Sequence, residues 1–560
     1  MGGILQQSSV QSFTAKGPKS TGRWKRDEVN MHYLGKKQVL KRRFGVISTL
    51  GLSTTLMLTW EGVLVYFGFG LENGGSAGLV TSFVLSWVCF LATMAPLAEL
   101  ASMAPTSSGQ YHWAYMLAPK SSRKLLSYLT GWLSVAVWQS IVAMGGILCA
   151  TLIEDLLVLT YPDNYSVQGW HGTLLIWATV ASALFVNSVL GVWLPQIEGF
   201  ILYLHVLGFF AIIIPLLHLA DRVEAVDVFT RWNNDGGWPN MGVAFLVGIV
   251  TNIGPFIGAD GAVHLAEETQ NASVVIPWNI MVTILVNGLF GFGMLIAALF
   301  CMGDLQSAMQ SGLNYPFVAI FFTSTKQSAS GTCLMVSIVL VLSFFATFGQ
   351  FAGASRQLWA FARDKGPPFS GWLVLVNPRS YLPLNAIWTT CLVSILLGLI
   401  NIGSDKALHS VLSFTVSSWE AASAIPLALL LWNRLTGRIQ PYDEDKVVAG
   451  ATGTWWVVDD DNAASSPQPP LIWGPWRIPE PLGTIVNIIG LCWISIAFFF
   501  SFWPNAAQVL PKSMNWSVLM TGFWFLFGLV YYWAHGRKYY HGPIIERPDN
   551  LQRVAGLAYM

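Results

Sequence analysis

Charge is scarce in this chain. Only 11% of its 560 residues are Asp, Glu, Lys or Arg, 54% are hydrophobic, and the mean hydropathy is +0.53. Soluble domains carry roughly a quarter of their residues as charges, so a soluble enzyme or regulatory fold is excluded. Cysteine is scarce too: six, at 89, 149, 301, 333, 391 and 492, with no C-x-x-C pair. All lie in or beside apolar segments, where a thiol serves as a small packing residue. Cys301 and Cys333 could meet near the outer face, but packing is the plainer reading. There is no Walker loop, zinc spacing or nucleophile elbow. An ATP-driven pump and an enzyme are therefore not expected, and no cofactor or metal is called for. The polar–apolar alternation of a membrane barrel is absent. So is the short apolar core of a cleavable signal, so the first apolar segment is expected to be retained.

What the chain has instead is long apolar runs. Twelve are legible, at 44–71, 76–103, 125–160, 172–194, 196–219, 241–266, 279–302, 331–355, 384–402, 407–433, 482–503 and 516–535. Most are long enough to cross a hydrocarbon core of roughly 30 Å as helices. The fold class expected is an all-α integral membrane protein. With the N-terminus inside, 25 of the 30 Lys and Arg fall on the cytoplasmic side, and only Arg222, Arg231, Lys326, Lys406 and Lys512 fall outside. That bias fixes orientation, and an even number of spans returns the C-terminus to the cytoplasm. The organisation is a basic tail over 1–43 and a membrane domain over 44–536. An acidic, Pro- and Ser-bearing cytoplasmic loop at 435–481 interrupts it, read as partly disordered. A second tail follows at 537–560, and both tails read as mobile. Of three Asn-x-Ser/Thr sites, Asn164 and Asn515 fall outside as glycosylation candidates, and Asn271 falls inside.

The first run contains "TLMLTWEGVLVYFGF", with Glu61 and Gly62 at its middle. A carboxylate at mid-membrane costs about 2.5–3.5 kcal/mol on insertion scales, so it normally faces a cavity or partner. If the helix unwinds over Thr59–Gly62, the N–H groups of the next half-helix are left free. The sixth run, "GVAFLVGIVTNIGPFIGADGAVHLAEE", gathers Gly254, Pro255, Gly258, Asp260 and Gly261 within one apolar segment. Proline removes a helical hydrogen bond, and glycine lowers the cost of irregular backbone. Glycine in a membrane helix also permits close packing, and Gly62 alone would read that way. Paired interruptions in spans one and six instead mark the binding site of an inverted-repeat transporter.

Three stretches carry a family resemblance: "AELASMAPTSSGQYHWAYMLAP", "IGADGAVHLAEETQNASVVIPWNI" and "ASRQLWAFARDKGPPFS". They follow spans two, six and eight on the predicted cytoplasmic side. The chain resembles the amino acid, polyamine and organocation transporter superfamily, and within it the fungal amino acid/choline/GABA permeases, over about 44–543. The resemblance implies a LeuT-like fold of two inverted five-helix repeats plus two helices. It also implies secondary active uptake, often proton-coupled. Glu99, Glu267 and Glu268 lie at inner helix ends within reach of Arg356, Arg363 or Lys365. They could form an inner gate that breaks and re-forms, or a static set of surface ion pairs.

Carried over to this sequence, the binding region comprises Thr59, Trp60, Glu61 and Gly62 at the first break and Gly254 to Gly258 at the second. Permeases of this fold commonly place small residues at the first break, where free N–H groups bind a substrate carboxylate. Trp and Glu stand there in this chain. Glu61 would cap those N–H groups and favour a cationic substrate such as choline, a primary amine or a basic amino acid, or else it carries the coupling proton. Trp138, Phe256, Phe345 and Trp419 could supply ring faces to a cation; Gln139 and Asn252 are polar mid-span candidates. Asp260, His264 and Glu420 are further proton-coupling candidates, while Asn287 and His205 serve helix packing equally well. The expected partners are a small amine or amino acid, a coupling proton and the bilayer, with no nucleic acid. The expected location is the plasma membrane. The competing readings are a choline or amine importer, a GABA or other amino acid permease, and a sensor that binds without transporting.

Overall fold

The first apolar run does not fold as one straight helix in the computed structural model, which describes residues 23–303, 312–403, 407–447, 470–510 and 514–546. Helix Val46–Met57 stops, Leu58 turns into the left-handed region (φ 49°, ψ 46°), and helix Thr59–Glu72 resumes. The break therefore falls one residue before the stretch that the glycine suggested. Thr59 to Gly62 form the first turn of the second half-helix, and the Gly62 N–H already donates to the Leu58 carbonyl at 2.6 Å. Leucine carries the turn at a cost of about 1–2 kcal/mol for its conformation.

Span six breaks over a longer stretch. After Met241–Gly248 come two 3-10 turns, Ile249–Asn252 and Gly254–Phe256, then extended backbone at Ile257. Gly258 follows at φ +103° and the short helix Gly261–His264 closes the segment. Pro255 sits at the start of a turn, where its missing N–H leaves no bond unmade.

Among the described residues, eleven helices, the broken span one included, are long and apolar enough to cross a membrane. They are span one (Val46–Glu72, both halves), two (Gly75–Met103), three (Arg123–Thr160), four (Gly169–Ser188), five (Leu194–Leu219), seven (Ala272–Phe300), eight (Ala329–Arg363), nine (Leu384–Ile402), ten (Ser410–Leu435), eleven (Leu482–Phe500) and twelve (Ser517–Tyr539). With the broken span six they make twelve, at the places the apolar runs predict. The interruptions thus head two successive groups of five spans, with two spans following. Span three packs against eight and ten, span two against seven and eleven, and span one against five and seven. Spans four, five, nine, eleven and twelve leave many large apolar side chains exposed, such as Phe185, Leu207, Leu392, Phe499 and Phe523, as lipid-facing helices do. All six cysteines are free, so Cys301 and Cys333 form no bridge.

The described parts of the two tails, 23–43 and 537–546, are packed against the membrane domain. Arg23–Tyr33 is helical, and the chain from Leu34 to Phe44 and from Tyr540 to Glu546 packs against the ends of spans six and eight. The two tails meet, since the Glu546 N–H donates to the Gly35 carbonyl at 2.8 Å. Both therefore lie on one face, as an even number of crossings requires. Residues 1–22, 448–469 and 547–560 lie outside the described residues.

Candidate functional site

The two breaks face one another within their spans. The Thr59 hydroxyl donates to the Pro255 carbonyl at 2.8 Å, and a methyl on Gly62 would stand 3.4 Å from the Pro255 ring. A Cβ on Gly258 would lie 3.2 Å from the Leu56 carbonyl oxygen. That carbonyl belongs to the last turn of the inner half-helix, the negative end of its dipole. The Gln350 amide reaches it at 3.5 Å, and Asn287 donates to the Thr54 carbonyl at 2.8 Å. Gln350 and Thr347 of span eight press against Gly145 of span three, while Tyr66 and Leu412 close over Gly254. The groups brought to the meeting point of the two breaks are thus carbonyls, amides, hydroxyls and rings.

Glu61 points away from span six. Its Oε1 lies 2.8 Å from Nδ1 of His205 in span five, and both side chains are fully buried. Glu61 Oε2 and His205 Nε2 have no hydrogen-bond partner among the described residues. Glu61 stands in the first turn of the outer half-helix but makes no cap bond, so it does not tie up the free N–H groups there. Trp60 turns the same way, its ring 5.7 Å from that of His205 and 6.1 Å from Phe209. Sequence reading left His205 open between a polar role and helix packing.

The other sequence-derived candidates are spread around this meeting point. Trp138 packs edge-on to His264 at 4.8 Å and lies against Gly353 and Gly261. Gln139 instead donates to Thr390 of span nine at 3.1 Å. Asn252 donates to Ser82 at 2.6 Å, and Phe256 stacks beside Phe83 and Phe90 of span two. Phe345 packs with Phe344 and Phe348. Asp260 is fully engaged, accepting from Gln110 at 2.5 Å and from the Trp419 indole at 3.2 Å. His264 meets the Ser107 carbonyl at 3.1 Å and keeps Nε2 unpartnered. Neither oxygen of the buried Glu420 carboxylate has a hydrogen-bond partner among the described residues. Glu198 of span five went unnoticed in the sequence. It is buried between Thr55, which donates to it at 3.1 Å, and Gly349 of span eight.

On the tail-bearing face lies a set of buried ion pairs. Arg356 meets Glu268 at 2.8 Å and Arg363 meets Glu267 at 2.8 Å, joining span eight to the segment after span six. Glu99 does not join them. It pairs with Arg434 at the end of span ten, which also meets Glu480 and lies over the Trp473 ring. Arg434 is nearer because span two packs beside spans ten and eleven. Lys365 also stays out of the set: it is exposed, sits at φ 61°, and makes no ion pair among the described residues. Its neighbour Asp364 is the buried group instead, paired with Lys36 at 2.7 Å. Asp27 accepts the N–H groups of Asn271 and Ala272, and burial still raises its pKa against the pull of Arg42 and those bonds. Burial, with Lys36 and Arg363 close by, lowers the His112 pKa to about 3, which keeps that imidazole neutral.

On the opposite face Asn164 is exposed, as a glycosylation site must be. Asn515 is buried and donates to the Ser501 and Trp503 carbonyls, so its amide is not free for a glycan in this conformation.

Known proteins share this chain's pattern. The family model for amino acid permeases matches residues 44–524. A choline transporter of Saccharomyces cerevisiae is 26% identical over 92% of this chain and 84% of its own length. Amino-acid permease 2 of Neurospora crassa is 25% identical over 92% and 88%. A solved nucleobase-cation-symport-1 family transporter in a closed conformation, with bromovinylhydantoin bound, aligns with 86% of this chain and 97% of its own at 13% identity and a TM-score of 0.47. Homologues along nearly the whole chain are permeases and not enzymes. The chain belongs to the amino acid permease family.

Proposed function

We propose that this permease imports a small amine, choline or a related cation, by proton-coupled alternating access at the gap between the two breaks. The observation that carries the proton step is the buried Glu61–His205 pair. It joins the outer half-helix of span one to span five, and each partner keeps one heteroatom free. A proton added there leaves the carboxylate neutral or the imidazole charged, which changes how strongly the two helices attract. Motion of span one is thereby tied to protonation. Because Oε1 is occupied by His205, Glu61 fits the proton role better than direct binding of the substrate cation.

What supports a cationic handle is the helix end facing Gly258. The Leu56 carbonyl and its neighbours present partial negative charge, and Trp138 and Tyr66 stand close enough to add ring faces. The choline transporter among the relatives agrees with this reading. A second reading, an amino acid such as GABA, is favoured by the outer half-helix. Its first-turn N–H groups remain uncapped by Glu61 and suit a carboxylate. On either reading the tail-bearing face is cytoplasmic, consistent with its share of Lys and Arg, and the membrane is the plasma membrane.

Uptake of radiolabelled choline, competed with ethanolamine, polyamines, GABA and basic amino acids at two pH values, tests the proposal. Choline uptake that GABA does not displace, lost in Glu61→Gln together with its pH dependence, is the expected result. An unchanged pH profile in Glu61→Gln would remove the proton role, and GABA uptake without choline uptake would move the substrate to the second reading.

A further inference from the structure

We infer that the inner end of span three, the loop after span eight and the C-terminal segment together seat the phosphate headgroup of an anionic phospholipid of the cytoplasmic leaflet. Only the side of the membrane is taken from the reading above; the seat itself lies apart from the two breaks.

Like charges gather there without acids to offset them. Arg123 and Lys124 open span three, Lys365 follows span eight, and Arg537 and Lys538 end span twelve. None of the five makes an ion pair among the described residues. The nearest acids are engaged elsewhere: Asp364 is held by Lys36, the Tyr111 hydroxyl and the Ile544 N–H, and Glu546 by Arg363 and the Lys37 N–H.

Packing brings the three chain segments together. Lys124 Nζ lies 3.2 Å from Nδ1 of His541, and the Tyr128 hydroxyl of span three donates at 3.1 Å to the carbonyl of Gly366, next in the chain to Lys365. The rings of Tyr128 and Tyr540 meet edge-on at 5.1 Å. Burial, with Lys124 and Lys365 close by, lowers the His541 pKa, so both ammonium groups act on one imidazole. Arg123 is buried with its guanidinium 4.9 Å from the Tyr115 ring, and its Nη1 has no hydrogen-bond partner among the described residues. A buried guanidinium N–H without an acceptor is costly, and an anionic oxygen satisfies it best.

The position of the patch makes the anion a lipid. Arg123 is the first residue of span three, and Arg537 and Lys538 lie in the last turn of span twelve, where the apolar spans give way to headgroups. Phe369, four residues after Lys365, is 82% exposed at φ 56°, and Trp372 is half exposed. Leu373 beside them packs into the same apolar cluster as Tyr128 and Tyr540, which fixes this turn to the basic group. Trp533 is exposed on span twelve, with Arg537 5.1 Å over its ring. Exposed rings and long cationic side chains on one rim suit an interface of acyl chains and phosphates, whereas a soluble anion would leave the rings unused.

Anisotropy of a fluorescent short-chain phosphatidylinositol phosphate, with the full chain in uncharged detergent micelles, tests the seat. Saturable binding is expected, displaced by unlabelled short-chain phosphatidylinositol phosphate or phosphatidylserine and not by phosphatidylcholine. Lys124→Gln with Lys365→Gln should weaken binding about thirtyfold and Arg123→Gln about fivefold, while Lys124→Arg with Lys365→Arg keeps it near the parent. Phe369→Ser should weaken it about threefold. Lys446→Gln, which removes an exposed charge elsewhere on the same face, should leave it unchanged. Lys365 is exposed and Lys124 partly so; unfolding midpoints of the parent and the double glutamine variant should therefore coincide without lipid, and only the parent's should rise when lipid is added. An equal rise in the double variant overturns the seat, as does equal weakening by Lys446→Gln, which would mean diffuse attraction to the whole face. Displacement by an inositol phosphate without acyl chains, as effective as by the lipid, would make the ligand a soluble anion and also overturn it. Micelles leave both faces open and need no transport, so a chain that imports no choline, or lies the other way round in the membrane, would still report its seat.

Discussion

The two interrupted spans reach similar geometry from different sequences. Span six announces its break: glycine supplies the positive φ at 258, proline opens a turn, and some ten residues leave the helix. Span one breaks at a single leucine, with neither glycine nor proline at the turn. A break can thus be encoded locally, by residues that make irregular backbone cheap, or held by tertiary contacts that make it unavoidable. In span one the holding contacts are Thr59 on the Pro255 carbonyl, Asn287 on the Thr54 carbonyl and Glu61 on His205. Span six is then partly the mould for span one.

The contrast breaks most sharply at the Glu61–His205 pair. If tertiary contacts hold the span-one break, His205→Ala should be the most damaging change. It leaves a buried carboxylate unpaired, at a cost of about 3–5 kcal/mol, and should abolish measurable uptake. Thermal unfolding in detergent and uptake assays check this together. The double change Glu61→Gln with His205→Ala should cost clearly less than the sum of the two, because the partners share one interaction. Additive losses would mean the pair does not hold the break.

Gly258→Ala tests the locally encoded side. At φ +103°, with the Leu56 carbonyl 3.2 Å from the new methyl, alanine is strained and crowded at once. A loss of about 1–3 kcal/mol is expected, with uptake falling more than tenfold because the methyl enters the gap. Leu58→Gly is the matched change in span one, and its sign is opposite. Relief of the left-handed leucine is worth about 1 kcal/mol, partly offset by the extra freedom glycine brings to the unfolded chain. The unfolding midpoint should stay level or rise slightly, with uptake kept.

The same contrast explains what could be read in the sequence. The twelve spans were legible because each is a long apolar run, and span six because its breakers are chemical. The Leu58 turn was not, since nothing about leucine marks a turn and the contacts that impose it come from residues far along the chain. The ion pairs divided in the same way. Glu267 and Glu268 sit beside one another and meet Arg356 and Arg363, as their positions at helix ends suggested. Glu99 found Arg434 instead, a choice set by which spans pack together. Lys36 looked like one more charge in a basic tail, yet it is the buried one, whereas Lys365 is exposed. His205 was visible but ambiguous, because a lone histidine in a span shows its worth only when the facing helix is known.

The smallest effect is expected at the residue that first pointed to the break. Gly62 was read as the place where span one unwinds, but it lies within the first turn of a regular half-helix, its N–H bonded to Leu58. A methyl there meets the Pro255 ring at 3.4 Å, which is ordinary contact. Alanine gains roughly 0.5–1 kcal/mol over glycine within a helix, set against slight crowding at that ring. Gly62→Ala should therefore alter stability by no more than about 0.5 kcal/mol, and uptake should stay within twofold of the parent. Were Gly62→Ala as damaging as Gly258→Ala, the turn would need glycine at 62 after all, and the two spans would break by one mechanism instead of two.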